Sequence, residues 1–135
     1  MSLEFRPIGR VESPLADRAQ APRQGDEGAP DAWVAVAPQY ADAVADVAVG
    51  EEVLLLTWLD RAARDVHVVH PRGDVARAPV GVFSTRSPDR PNPIGLHRVT
   101  VLDVDGTRLL VSNLEALDGT PVLDIKPVLG PLEER

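Results

Sequence analysis

Apolar and polar positions alternate along this chain in short runs, and the runs are punctuated by proline and glycine rather than joined into long amphipathic stretches. Pro7 to Ser13 reads as a first strand with Ile8 and Val11 as its apolar positions, and Ala32 to Ala37 as a second. Between them, Pro14 to Pro30 is polar and rich in Pro and Gly, a connection long enough to be either mobile or functional. Pro38, then Gln39 to Val49, then Gly50 predicts a short helix, since proline suits a helix start and glycine the position just past its end. Its apolar stripe is Tyr40, Val44 and Val47, at i, i+4 and i+7. The continuous apolar run in Glu52 to Asp60 predicts a buried strand, and Arg64 to His70 another, ended by the turn Pro71 to Asp74. Arg98 to Leu114 is the clearest hairpin, with Asp105-Gly106 as a two-residue turn. That register sets Asp103 opposite Arg108, Leu102 opposite Leu109 and Val101 opposite Leu110, a sheet covered on both faces. Asp118 to Leu129 supplies a last turn and strand. Some seven strands and one short helix predict a mainly β fold, a single compact β-barrel or closed sheet spanning residues 1–135 as one domain.

Composition narrows the chemistry. With 44 % hydrophobic residues but only 4 % aromatic ones, the core is built from Val, Leu, Ile and Ala. The absence of cysteine excludes disulfides, thiolate zinc sites and cysteine nucleophiles. The 21 acidic residues outweigh the 14 basic ones, for a net charge of −7, which argues against a broad electrostatic nucleic-acid surface. Every cation except Lys126 is arginine, the planar multi-donor suited to phosphate and carboxylate. No signal-peptide pattern is present, and the longest apolar run, Val53 to Leu56, is far too short to span a bilayer, so a soluble cytoplasmic protein without membrane partners is expected. Dinucleotide, P-loop and serine-hydrolase motifs are absent.

Four stretches carry candidate chemistry. Ser84 to Arg98, "STRSPDRPNPIGLHR", packs Pro88, Pro91 and Pro93 close together and threads Arg86, Arg90 and Arg98 among them. Proline fixes φ and biases its preceding residue to extended conformations, so this is a pre-stiffened path, either a surface connector with solvated arginines or a site on which a ligand is held at low entropic cost. Ala21 to Gly25, "APRQG", repeats that chemistry in miniature, although taken alone a polar linker is the better account of it. His67 and His70, three apart on a strand, point to opposite faces and cannot share a metal, and His97 has no acidic or histidine neighbour in sequence; no metal site is expected. Asp118 to Pro121 makes a tight turn with available carbonyls, followed by Asp124 and Lys126 on one strand face, where a surface ion pair is the plain alternative to a role in a cleft.

"GVFSTRSPDRPNPIGLHRV" followed by "LDGTPVLDIKP", with "IGRVESP", "APRQG" and "HPRGD" in the same order, resembles the TsaA-like, or TrmO, family of S-adenosylmethionine-dependent tRNA methyltransferases over nearly the whole chain. The resemblance implies a compact β-barrel unrelated to Rossmann methyltransferases, working as a homodimer with the donor near the subunit junction. It implies methylation of the exocyclic N6 of threonylcarbamoyl-modified adenosine beside the tRNA anticodon, with S-adenosylmethionine as cofactor. Carried over by motif, the donor would be held by Pro22, Arg23 and Gln24, by Arg86 and Leu96, and by Asp118, Gly119, Thr120 and Pro121. Where the family usually carries a histidine, this chain has Asp60 followed by Arg61, assigned to the same site; the tyrosine often found after "DIKP" is Val128 here; and many members carry a further C-terminal domain. Arg90 and Asn92 are expected to touch the substrate, and Asp124, oriented by Lys126, to position it or take its proton. Two other functions fit the same residues: methyl transfer to a small-molecule acceptor, and non-catalytic binding of the donor or a nucleotide.

Overall fold

The computed structural model describes residues 1–19, 21–22 and 28–130. Eight strands are formed: β1 (Gly9–Glu12), β2 (Ala32–Val36), β3 (Glu52–Trp58), β4 (Val68–Val69), β5 (Val80–Gly81), β6 (Ile94–Asp105), β7 (Arg108–Val111) and β8 (Pro121–Pro127). Six of them pair antiparallel in the order β1-β2-β7-β6-β3-β8, and the closed barrel is completed by β1 against β8 through Gly9↔Val122 and Arg10↔Pro121. β4 and β5 form a separate two-stranded ribbon. No helix among the described residues is long and apolar enough to cross a membrane.

Strand alternation builds the interior. Val11, Val34, Val36, Val53, Leu55, Val99, Val101, Leu109, Val111 and Val122 all point inward and are buried. Each such aliphatic side chain contributes roughly 1.5–3 kcal/mol on burial, which suffices for a core with almost no aromatic residues. Gly9 is required for closure: a Cβ there would overlap the Ala35 carbonyl and Val36 Cα of the neighbouring strand.

Four expectations from the sequence are corrected. The helix is one turn only, α1 (Ala41–Val44), preceded by a 3₁₀ turn Pro38–Tyr40, because Val47 already closes an i to i−3 bond to Val44. The strand expected over Arg64 to His70 shrinks to the two residues of β4. The β6–β7 turn is Gly106-Thr107, with Gly106 at φ +62, and a bulge between Val101 and Asp103 absorbs the shift. Asp105 therefore faces Arg108 and Val104 faces Leu109. Next to the turn the displacement is two residues, so Asp103, Val104, Arg108 and Leu109 keep their faces, but beyond the bulge it is one, and Val101 turns inward opposite Val111 while Leu102 is exposed. Asp103 instead accepts the Val104 amide, and Arg108 donates to Glu12 (2.7 Å) and stacks 4.5 Å over Trp33. Finally, β3 is fully buried on one face alone: Leu54 and Leu56 look outward, half-buried, beside the exposed Ile94 and Leu96, so the barrel wall carries an apolar strip that the described residues leave partly open.

Candidate functional site

The antiparallel ring brings the ends of β1, β3 and β7 and the beginnings of β2, β6 and β8 to one rim, and of the expected site residues Asp60, Arg61 and Asp118 to Pro121 gather there. The Asp118–Pro121 turn enters β8 and is pinned by its backbone: Asp118 N to Leu15 O (2.7 Å), Gly119 N to Val11 O (2.7 Å) and Thr120 N to Leu117 O (3.1 Å). Gly119 has φ +83, which glycine alone adopts without strain, and nothing lies within 4 Å of the place a Cβ would occupy, so the turn is open on that side. Arg61, just past β3, donates to Ala16 O (2.5 Å) and more weakly to Asp118 O (3.4 Å). An open cleft of about 650 Å³ adjoins the turn, lined by Gly9, Arg10, Glu12, Ala35, Asp118 and Gly119 among others. Asp60 is exposed on the same rim, and Pro22 is half-buried. Arg23 and Gln24 lie outside the described residues.

The proline-rich loop is stiffened by its arginines as well as its prolines. Arg90 spreads its guanidinium over three carbonyls, those of Thr85 (2.9 Å), Ser87 (3.1 Å) and Val82 (3.0 Å). Arg64 crosses from the facing segment to Pro91 O (2.8 Å) and Asn92 Oδ1 (2.9 Å) while lying 5.1 Å over the Trp58 ring. Asp89 accepts Arg18 (3.0 Å) and the Ala63 amide (2.9 Å). Burial pushes the Asp89 carboxyl up, but the Arg18 hydrogen bond, the Ala63 amide and the Arg18 charge outweigh it and hold the carboxyl below its ordinary range. The Arg90 guanidinium and the Asn92 side-chain oxygen, both expected to touch substrate, are engaged in bracing the loop. Arg86 is exposed, with no partner among the described residues.

Asp124 and Lys126 form an ion pair of 3.2 Å with side chains 50 % and 60 % exposed, and neither lines the rim cleft. The pair has the geometry of the surface ion pair that the sequence offers as the plain alternative to a role in a cleft. Leu96 sits on the outer wall, across from Leu56.

Sequence reasoning missed a buried polar chain just under the rim. His97 Nδ1 donates to Glu115 Oε1 (2.5 Å), and Nε2 shares a 2.7 Å hydrogen bond with the Thr57 hydroxyl. The His97 side chain is 4 % exposed and that of Glu115 20 %. Gly95 leaves the room: a Cβ there would overlap both Thr57 Oγ1 and His97 Nε2. The 18-residue separation hid the pair; the signal present was a histidine at an inward position of an alternating strand.

With this geometry in place, comparison with known proteins decides the family. Residues 10–132 match the profile of the tRNA-methyltransferase O N-terminal domain. The chain belongs to the TrmO family. Crystal structures of TrmO superpose on it with TM-scores of 0.76, at 32 % identity, and 0.74, at 31 % identity for the Pseudomonas aeruginosa protein; both cover 96 % of this chain. A probable S-adenosyl-L-methionine-binding protein of Methanothermobacter thermautotrophicus is 45 % identical over 94 % of this chain and 90 % of its own length. A longer probable S-adenosyl-L-methionine-binding protein of Archaeoglobus fulgidus is 42 % identical over 98 % of this chain. The chain spans 36 % of that relative and 57–58 % of the two TrmO chains.

Proposed function

We propose that this TrmO-family chain is an S-adenosylmethionine-dependent methyltransferase, and that its acceptor is the exocyclic N6 of threonylcarbamoyl-modified adenosine next to the tRNA anticodon. The observation that carries the reading is the open Asp118–Pro121 turn beside the rim cleft, in a fold whose relatives are named for binding this donor. The residues fit the group: the cleft sets a glycine-opened backbone beside the Asp118 carboxylate and the Arg10 guanidinium, suited to the ammonium and carboxylate of the donor's amino-acid end, while Glu12 is held by Arg108.

When bound, S-adenosylmethionine supplies a methyl group already activated on positively charged sulfur. The chain's task is then alignment, since the adenine amine is a weak nucleophile whose lone pair is delocalised into the ring, and alignment alone supplies roughly 7–11 kcal/mol. In this reading Asp118 to Pro121 offer backbone carbonyls, Asp60 and Arg61 border the site, and the remaining donor contacts are those the motifs imply, Pro22, Arg23 and Gln24 and then Arg86 and Leu96. The last two stand on the loop and the outer wall, which supports a homodimer as the working form: the exposed Ile94 and Leu96 with Leu54 and Leu56 give a second copy an apolar surface to cover.

Titration calorimetry with S-adenosylmethionine is expected to show saturable binding by the folded protein, and its absence excludes the enzyme reading. Nucleoside mass spectrometry of a deletion strain is expected to show loss of N6-methylated threonylcarbamoyladenosine. Unchanged levels, with donor binding intact, favour a small-molecule acceptor, the reading to which the net charge of −7 lends weight.

A further inference from the structure

The donor reading leaves the buried polar chain Thr57–His97–Glu115 without a task, yet both ends of it reach the roots of the Asp118–Pro121 turn. Glu115 stands three residues before the turn. Ala116 and Leu117 between them are buried, and Leu117 O accepts both the Thr120 hydroxyl (2.7 Å) and the Thr120 amide (3.1 Å), so the stretch moves as one body. At the other root Val122, the first residue past the turn, faces Thr57, and a bulge between Leu56 and Thr57 resets the β3–β8 register there. His97 joins the two roots. It lies on β6 two residues from Gly95, the strand partner of Thr57, and its imidazole folds back into the space that Gly95 leaves open. One ring nitrogen meets Glu115 at 2.5 Å and the other meets Thr57 at 2.7 Å. Among the described residues no buried polar side-chain atom lacks a partner, so this network is fully connected. Apolar residues at these places would fill the same volume and are often no less stabilising. What they would lack is direction, since a hydrogen bond fixes the distance and angle between its partners.

We propose that His97 and Glu115 are positioning residues of the donor site: anchored on Thr57, the pair sets where the Asp118–Pro121 turn meets its ligand. The inference rests on the donor reading above and adds the internal support that gives the turn its place. Neither residue touches the donor in this arrangement, and neither lines the rim cleft. Backbone bonds to Leu15 and Val11 already tie the turn to the end of β1, and the polar chain ties its two roots to β3 and β6. A turn held from several sides presents one geometry, and a ligand binds it without first having to order it. The property of Glu115 that matters is then its reach rather than its charge.

The test uses the whole purified protein, titration calorimetry with S-adenosylmethionine, hydrogen exchange without ligand, and urea melts. Glu115→Gln keeps the reach and the acceptor oxygen but loses the charge, and its donor affinity is expected to stay within about twofold of wild type. Glu115→Asp keeps the charge but is one methylene short, so it must release His97 or drag the turn. It is expected to weaken donor binding about tenfold, the scale of one hydrogen bond from turn to ligand put out of reach. Its Asp118, Gly119 and Thr120 amides are expected to exchange faster than its measured stability accounts for. Thr57→Val removes the anchoring hydroxyl and is expected to move the same two readouts in the same direction. Val101→Ala, a cavity on the same strand farther from the rim, removes no polar contact. It is expected to lower stability while donor affinity stays within about twofold. Wild-type affinity in Glu115→Asp overturns the proposal. So does equal weakening in Glu115→Gln, which would make the carboxylate's charge the attraction, and so does comparable weakening in Val101→Ala, since any loosening of the barrel would then suffice. A wild-type protein that binds no donor removes the donor reading itself, whereas donor binding indifferent to all four substitutions removes this role alone.

Discussion

His97 and Glu115 place two ionisable groups at a level of the barrel where apolar neighbours such as Leu55 and Val99 would otherwise continue. Removing one partner of such a pair strands the other, at a cost of about 3–5 kcal/mol when burial is complete, whereas exchanging both for apolar residues is often neutral or stabilising. His97→Ala is therefore expected to lower unfolding stability by an amount approaching 3 kcal/mol, since Glu115 keeps a little solvent. The double change His97→Leu with Glu115→Leu is expected to restore most of it, as urea melts will show. Because Glu115 lies three residues before Asp118, the double variant is also expected to exchange the Asp118 to Thr120 amides faster despite its recovered stability. Gly95→Ala tests the same locus by volume. Its methyl would meet Thr57 and His97, both buried, and overpacking of this kind costs about 1–3 kcal/mol. The need for a small residue at 95 was invisible in sequence, where "PIG" reads equally well as a turn leading into a strand.

The proline-rich loop shows what was legible at the level of elements and what was not. That three prolines within Ser84 to Arg98 restrict the path follows from φ alone, and the structure adds ties from Arg90, Arg64 and Asp89. Which guanidiniums face inward did not follow, because it depends on carbonyls brought near by the 3₁₀ turn Val82–Ser84 and on the facing Leu59 to Arg64 segment, both set by tertiary packing. The hairpin failed in a similar way: Asp-Gly is the stronger local turn signal, yet the bulge at Leu102 moved the reversal to Gly106-Thr107. Arg90→Lys is expected to loosen this loop at unchanged charge, since an ammonium cannot span three carbonyls with a planar fork. A stability loss of about 1 kcal/mol and faster exchange at the Thr85 and Ser87 amides should accompany it. Asp89 adds a pH dependence. Its carboxyl is held below the ordinary value of 3.8, so the Arg18 and Ala63 ties stabilise the folded state fully above that pH and are lost as pH falls through the lowered folded value. The stability difference between wild type and Asp89→Asn, no more than about 1 kcal/mol because Arg18 is half-exposed, should be flat at neutral pH and vanish in stronger acid.

At the scale of the whole molecule, the barrel is closed by its first and last strands, and that seam is short: β1 meets β8 through Gly9↔Val122 and Arg10↔Pro121 only. The rim cleft borders it, lined by Gly9, Arg10, Val11 and Glu12, by Ala35 and Ala37 on the β2 side and by Asp118 and Gly119 before β8, and Arg10 ties β1 to that turn by donating to Gly119 O (3.1 Å). A ligand in that cleft touches both ends of the chain at once, so binding and closure are the same equilibrium seen from two directions. If S-adenosylmethionine binds as proposed, a concentration of one hundred times its dissociation constant should stabilise the protein by about 2.7 kcal/mol. Hydrogen exchange should show that gain concentrated in the amides of Val11 and Gly119 and their neighbours, with the far hairpin at Gly106 protected only to the extent that global unfolding is suppressed. A rise in melting temperature without added protection along the seam would put the donor elsewhere on the barrel. Gly9→Ala supplies the converse. Its Cβ would collide with backbone atoms of β2 that cannot step aside, so it should open the seam and weaken donor binding together, although Gly9 contributes no side chain to either.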